Sequence, residues 1–187
     1  YFMHKDGIGA AFREIPEQIM TIDELRLPQV LKSFALLPKG FVLVTGPTGS
    51  GKSTSLAAII DYANERRKSR IITIEDPIEF VHQNKNCIIS HREVGTHTKS
   101  FAAALRSALR EDPDIILVGE IRDLETARLA MEAAATGHLV FSTLHTSGAT
   151  KTVDRLIEMF PTDEQEFIRS LLADVIRGII SQTLFKR

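Results

Sequence analysis

The sequence has 187 residues, of which 43% are hydrophobic and 25% are charged, a composition typical of a globular domain with a buried core. The formal net charge of −1 gives no overall basic field for nucleic acid or for an acidic membrane surface. A single cysteine, Cys87, excludes an intrachain disulfide and a zinc cluster built from thiolates. No apolar run approaches the ~18 residues of a membrane span, so we expect no transmembrane segment.

Residues 1–40 differ in pattern from the rest of the chain. Thr21 and Glu24 form a capping box that predicts a short helix, and Pro28 predicts a second turn or helix that ends by Gly40. We therefore expect a connector into a compact domain, with residues 1–15 as the tail of an earlier one. The chain opens on Tyr1, which indicates a piece of a longer protein.

From residue 41 onward, apolar runs alternate with helical patterns. Strands are predicted at 41–46, 70–75, 115–120 and 138–144, and helices at 53–68, 98–111 and 124–136. This alternation favours an α/β fold, a mostly parallel sheet with helices on both faces. A further strand, 87–94, has no intervening helix and is expected to be an edge or antiparallel strand.

The C-terminal segment is predicted to be one core helix. It starts with a second capping box, Thr162 to Gln165. The apolar residues expected on its buried face are Phe167, Ile168, Leu171, Leu172, Val175, Ile176, Ile179 and Ile180.

A glycine-rich stretch at 46–53 fits the P-loop pattern G-x-x-x-x-G-K-[ST], between a predicted strand and a predicted helix. Its backbone N–H groups are expected to cradle phosphates at a helix N-terminus, with Lys52 reaching the β- and γ-phosphates and Ser53 binding Mg²⁺. The chain is therefore predicted to bind a nucleoside triphosphate. The predicted nucleotide-binding residues are Gly46, Pro47, Thr48, Gly49, Ser50, Gly51, Lys52, Ser53 and Thr54.

Acidic residues follow two predicted strands. Glu75, Asp76 and Glu79 cluster where the strand 70–75 ends, and we expect that strand to lie next to the P-loop strand. Acids held near a triphosphate favour a bound Mg²⁺. The predicted strand 115–120 ends on Gly119 and Glu120, where many ATP-hydrolysing proteins carry Asp and then Glu. Position alone favours Glu120 as the general base.

The last predicted strand has a histidine at each end. His138 opens it and His145 directly follows its last residue. A histidine at the carboxyl end of a sheet strand lies on the phosphate side of this kind of fold. His138 and His145 are both candidates for sensing the phosphate.

The stretches GPTGSGKST, ITIEDPIEF, DIILVGEIRD and GHLVFSTLHT resemble, in order, the Walker A, Asp, Walker B and His boxes of the secretion ATPase superfamily. The resemblance covers residues 41–187. Two further stretches, SHREVGTHTKSF and FSTLHTSGATKTVDRLIEMFP, look like the pilus-retraction branch of that family. The assembly and secretion members usually carry a four-cysteine metal site, which a single cysteine excludes here.

The resemblance implies a RecA-like P-loop core at 41–187, truncated at its C-terminus. A remnant of a PAS-like domain around residues 12–16 and a linker would precede it within 1–40. ATP and Mg²⁺ are the implied cofactors. Lys52, Glu79 and Glu120 are the implied catalytic residues, with Glu79 as the favoured base. Ser53 and Glu120 would hold the metal, partly through water, and Glu75 and Asp76 are further metal candidates.

The resemblance also implies a motor for type IV pilus retraction (twitching motility). Such a motor is expected to be a homo-oligomer, a hexamer, in the cytoplasm at the inner face of the bacterial inner membrane. Its partner there is a pilus platform protein, and nucleic acid is not a partner. Arg13, Arg106 and Arg110 are candidates for arginines that act across a subunit boundary. Arg106 and Arg110 are predicted to share a helix face, and surface salt bridging is the alternative for them.

Two other functions are compatible with the same core. One is a nucleic-acid-translocating RecA-like ring ATPase, which the net charge disfavours. The other is a nucleotide-sensing interaction module that does not hydrolyse ATP, which the presence of Glu79 and Glu120 disfavours. A transporter-type ATPase is disfavoured because no LSGGQ-like stretch occurs.

Overall fold

The computed structural model describes residues 2–10, 15–16 and 18–185. Strands β1 (Phe2–His4) and β2 (Gly7–Gly9) form an antiparallel pair. The capping box forms, since Thr21 N–H donates to Glu24 Oε2 at 2.8 Å and Glu24 N–H donates to Thr21 Oγ1 at 3.2 Å. The residues that follow Thr21 form turns and not a helix, so the predicted short helix is wrong. Helix α1 (Val30–Ala35) comes after these turns, as predicted.

The main sheet has six strands, all parallel to their neighbours, in the order β5-β4-β6-β7-β3-β8. The strand bounds are β3 Gly40–Thr45, β4 Arg70–Glu75, β5 Ile88–Glu93, β6 Ile115–Val118, β7 Leu139–Leu144 and β8 Ile176–Ser181. The predicted parallel sheet is confirmed. For β5 the sequence predicts either an edge strand or an antiparallel strand. It is an edge strand, and it runs parallel to β4.

Helices cover both faces of this sheet, also as predicted. They are α2 Lys52–Arg66, α3 Phe101–Ala108, α4 Leu124–Ala135, α5 Ala149–Glu158 and α6 Gln165–Val175. Successive residues of a strand point to opposite faces. Accordingly, Phe41 and Leu43 pack in the core that includes α3, α4 and α6, while Val42 and Val44 pack in the core that includes α1 and α2.

The C-terminal segment departs from the predicted single helix. Helix α6 ends at Val175, and Ile176 to Ser181 form β8 against β3. Ile176, Ile179 and Ile180 are β-branched, and a strand here pairs the edge of β3 that β7 leaves open. Phe167, predicted to be buried, is 64% exposed.

The second predicted capping box, Thr162 to Gln165, does not form. Glu164 is the N-cap of α6 and makes no side-chain capping bond. The Gln165 side chain instead donates from Nε2 to Phe160 O at 3.0 Å.

The strand order corrects one expectation about the site. Strand β4, which carries the acidic turn, is not next to the P-loop strand β3, because β6 and β7 lie between them. Local sequence patterns carry no information on the order in which distant strands pair. The carboxyl ends of all these parallel strands still lie along one edge of the sheet. Within the described ranges, no helix is long and apolar enough to cross a membrane.

Candidate functional site

A cleft of about 740 Å³ opens at the carboxyl edge of the main sheet. Such an edge is where ligands bind in open parallel α/β folds. The cleft brings together the P-loop, the acidic turn after β4, the end of β6 and the end of β7. Its lining residues are Pro16, Thr48, Gly49, Gly51, Lys52, Ser53, Thr54, Glu75, Asp76, Pro77, Glu79, Phe80, Phe101, Gly119, Glu120, Arg122, Thr143 and His145.

The P-loop connects the end of β3 to the start of α2. Gly49 and Gly51 have backbone φ angles of 76° and 86°, a region that residues with a Cβ atom rarely adopt. Gly51 is the N-cap of α2, and as a glycine it makes no side-chain capping bond to the first turn. The N–H groups of that first turn have no partners within the helix, and together with the helix dipole they favour an anion at this point.

Lys52 places a cation on the inner side of this loop. Its side chain is buried, and Nζ donates hydrogen bonds to Gly46 O and Pro47 O, both at 3.0 Å. Burial lowers the pKa of Lys52, while the charges of Glu120 and Glu79 act to raise it. The ammonium therefore lies between the loop carbonyls and the carboxylates of the cleft.

The acidic turn after β4 places Glu75, Asp76 and Glu79 in the same cleft. Glu75 is buried, and its carboxylate Oε2 accepts a hydrogen bond from Glu79 N–H at 3.3 Å. Burial raises the pKa of Glu75. Hydrogen bonds from Thr73 and from Glu79 N–H act to lower it, and the charges of Glu79 and Glu93 act to raise it. The turn is thus a site where negative charge is concentrated and partly removed from water.

Glu120 lies at the end of β6, opposite Lys52. It forms an ion pair with Arg122, and His145 Nε2 lies 3.5 Å from Glu120 Oε2. Thr143 Oγ1 donates a hydrogen bond to Gly119 O at 2.6 Å, which ties the end of β7 to the end of β6. Glu120 and His145 are therefore held side by side at the cleft wall.

The charge in the cleft fits a cation that arrives with a polyphosphate. Four carboxylates, of Glu75, Asp76, Glu79 and Glu120, line the cleft together with the cations of Lys52 and Arg122. Among residues 2–10, 15–16 and 18–185, no three acidic, histidine or cysteine side chains form a group that could hold a metal by themselves. Mg²⁺ usually binds through one or two protein groups plus substrate phosphates, so a preformed protein cage is not required.

Some predicted residues lie away from the cleft. His138 precedes β7 at the opposite edge of the sheet, where its Nδ1 lies 2.9 Å from Ala133 O. The placement of His138 therefore gives no support to phosphate sensing by that residue, because the length of β7 separates it from the cleft.

The three candidate arginines also lie outside the cleft or outside the described residues. Arg106 forms an ion pair with Glu125. Arg110 is not on the same helix, since α3 ends at Ala108 and Arg110 N–H donates to Ser107 O in a tight final turn. Arg13 lies outside the described residues. Roles for these arginines across a subunit boundary stay predictions.

Sequence reasoning missed several lining residues. Arg122 is the clearest, because it lies shortly after the end of β6 and pairs with Glu120. Its position two residues after a predicted catalytic carboxylate could have identified it. Phe80, Phe101 and Thr143 belong to hydrophobic or strand patterns that give no local signal of a binding site.

Two histidines lie behind the acidic turn. The rings of His82 and His91 stack with centroids 5.8 Å apart, and His91 Nδ1 lies 2.9 Å from Thr73 Oγ1 on β4. His82 N–H donates to His91 Nε2 at 3.1 Å. Burial lowers the pKa of His82 to about 3, with smaller contributions from the charges of His91 and Lys85. Burial thus favours the neutral form of both rings next to β4.

The model of the family described as "Type II/IV secretion system protein" matches residues 16–187. The chain is 57% identical over 186 residues to "Type IV pilus retractation ATPase PilT" of Pseudomonas aeruginosa, covering 100% of this chain and 54% of the relative. It is 58% identical over 180 residues to "Twitching motility protein" of Neisseria gonorrhoeae, covering 96% of this chain and 48% of the relative.

A solved structure of the pilus retraction motor PilT with bound ADP matches with a TM-score of 0.87 at 53% identity. The match covers 89% of this chain and 49% of that chain. This chain therefore spans about half the length of these relatives.

The buried His82 leads to a testable pH dependence of stability. The pKa of His82 in the folded protein, about 3, is below the value of 6.5 for an ordinary histidine. The stability that the neutral, buried ring contributes is therefore complete above pH 6.5. It is lost as the pH falls toward 3, because the unfolded chain then binds a proton that the folded chain does not. Between pH 6 and pH 4 we expect the free energy of unfolding to fall about 1.4 kcal/mol per pH unit more steeply in the parent than in His82→Phe. Urea unfolding at several pH values measures this difference.

Val81→Phe, at the exposed and non-titrating residue next to His82, is the control and should keep the parent's slope. Equal slopes in the parent and His82→Phe would contradict a buried, neutral His82.

Proposed function

Because the chain belongs to the type II/IV secretion system protein family, we propose that it binds ATP in the cleft and hydrolyses it with Mg²⁺. One observation carries the proposal. The buried ammonium of Lys52, the N-terminus of α2 and the carboxylates of Glu79 and Glu120 face one cleft at the carboxyl edge of the sheet. This arrangement supplies positive charge for phosphates and acidic groups for a metal and a water.

Phosphoryl transfer depends mainly on positioning and on neutralising charge. In the proposed site, the P-loop N–H groups and Lys52 bind the phosphates. Ser53 and Glu120, with Glu75 and Asp76 as further candidates, would hold Mg²⁺, which neutralises charge on the phosphate oxygens when it is bound. Glu79 accepts the proton of the attacking water, and Glu120 is the alternative base.

We extend the proposal to a motor that powers type IV pilus retraction. Support comes from the names of two relatives, one a pilus retraction ATPase and one a twitching motility protein. The proposed motor is a hexamer that works in the cytoplasm, at the inner face of the inner membrane, on a pilus platform protein. An arginine from a neighbouring copy would complete the site, with Arg13, Arg106 and Arg110 as candidates.

Removing the ammonium of Lys52 tests nucleotide binding. Lys52→Ala should weaken binding of a fluorescent ATP analogue by about ten-fold or more, because a charge-assisted contact to the phosphates is lost. Equilibrium titration of the 187-residue chain measures the change. Lys39→Ala, at an exposed lysine outside the cleft, is the matched control. Equal affinity in the parent and Lys52→Ala would show that the P-loop assignment is wrong.

The roles of the two glutamates are separable. Glu79→Gln should retain ATP and hydrolyse it at least ~10²-fold more slowly, the usual loss when a general base is removed. Glu120→Gln should instead shift the Mg²⁺ concentration that supports half-maximal hydrolysis. Steady-state assays over a range of Mg²⁺ concentrations measure both effects. Should Glu79→Gln hydrolyse normally while Glu120→Gln keeps the parent's metal response, the two roles must be exchanged.

A site completed by a neighbouring copy predicts rescue on mixing. Lys52→Ala and Arg110→Ala should each be inactive, and their mixture should recover part of the parent's activity. A mixed junction can pair an intact P-loop with an intact arginine, a contribution worth about 10³-fold or more where it acts in trans. ATPase assays at increasing protein concentration measure this. Specific activity that stays flat with concentration, together with no rescue, would rule out a shared site involving Arg110.

A further inference from the structure

The end of β8 lies against the start of the P-loop. Strand β8 pairs in parallel with β3, and Ser181 is in register with Thr45, the last residue of β3. The next residue, Gln182, donates its backbone N–H to Thr45 O at 2.8 Å. The chain therefore leaves the sheet directly beside the point where the loop begins.

The Gln182 side chain reaches the other end of the same loop. Its Oε1 accepts a hydrogen bond of 2.9 Å from Ser55 Oγ, a buried hydroxyl in the first turn of α2. Its Nε2 lies 2.9 Å from the position that a Cβ on Gly51 would occupy. One residue, 127 positions along the chain from Ser55, thus contacts the loop where α2 starts.

The backbone of Gln182 also restricts the first glycine of the loop. A Cβ on Gly46 would collide with the carbonyl oxygen of Gln182, and Gly46 has a φ angle of 146°. Gly46 and Gly51 are the two fixed glycines of the P-loop pattern. Gln182 packs against both of them.

We propose that Gln182 is a positioning residue for the phosphate-binding loop, and that it links the pairing of β8 to nucleotide affinity. It contacts no substrate in this assignment. Its carbonyl, its amide and its bond to Ser55 hold both ends of the loop in the shape that directs backbone N–H groups at phosphates. By linkage, whatever displaces β8 from β3 weakens nucleotide binding, and bound nucleotide favours the paired strand. The inference rests on the proposed binding of nucleotide in the cleft.

Four variants of the 187-residue chain test the assignment: Gln182→Ala, Gln182→Glu, Ser55→Ala and the double variant Gln182→Ala/Ser55→Ala. Thr183→Ala, at the exposed neighbouring residue, is the matched control. The readouts are the dissociation constant of a fluorescent ADP analogue with Mg²⁺ and the melting temperature without nucleotide. The second readout separates a change in the loop from a change in overall stability.

We expect Gln182→Ala and Ser55→Ala each to weaken ADP binding about three- to ten-fold, the effect of one lost hydrogen bond. The double variant should lose no more than the larger single effect, because both substitutions remove the same contact. Gln182→Glu should weaken ADP binding more at low salt than at high salt. It places a carboxylate beside the phosphate site, and salt screens the resulting repulsion. Thr183→Ala should bind like the parent.

A purely structural role gives a different result. In that case the melting temperatures fall while every folded variant binds ADP as tightly as the parent, and the proposal is wrong. If Gln182→Ala does not fold, Ser55→Ala and Gln182→Glu decide by the same criterion. A parent chain that fails to bind ADP contradicts the proposed function itself, and the positioning role falls with it. A parent that binds, with variants that bind equally, overturns the positioning role alone.

Discussion

All six strands of the main sheet run in one direction, and the rest of the structure depends on this constraint. Parallel pairing sends every strand's carboxyl end to the same edge. The P-loop after β3, the acidic turn after β4, Glu120 after β6 and His145 after β7 therefore meet there, although β3 and β4 are not neighbours. An antiparallel β4 would have placed Glu75 and Asp76 at the opposite edge of the sheet, the edge at which His138 lies.

The cleft holds charged groups of both signs that are partly removed from water, and this bears on the chemistry proposed for it. Burial acts on Lys52 and on Glu75 in opposite senses, lowering the pKa of the first and raising that of the second. In both cases, removal from water disfavours the charged form. A bound polyphosphate with its cation would compensate both groups, the phosphates for Lys52 and the metal for the acids. The site is therefore better matched to a metal–nucleotide complex than to either component alone.

The local parts of the fold and site could be predicted from sequence, and the non-local parts could not. The P-loop is a contiguous backbone motif, so eight residues and their flanking strand and helix are sufficient to place it. The sequence pattern predicts helix where β8 forms, because Ile176, Ile179 and Ile180 recur at helical spacing. The unpaired edge of β3 that makes a strand favourable is more than a hundred residues away in sequence. Arg122 and Gln182 act through contacts that appear only after folding, and the same is true of the buried His82.

The central claim is that the phosphates of a nucleotide bind on the backbone of residues 46–54. Hydrogen–deuterium exchange of this chain, with and without Mg²⁺ and ATP, tests it most directly because it reports on individual stretches of backbone amides. The account predicts that nucleotide slows exchange in residues 46–54 and in the first turn of α2, with smaller changes at 75–80 and 118–122. Unchanged exchange at 46–54 under saturating nucleotide, or protection confined to another part of the chain, would contradict it.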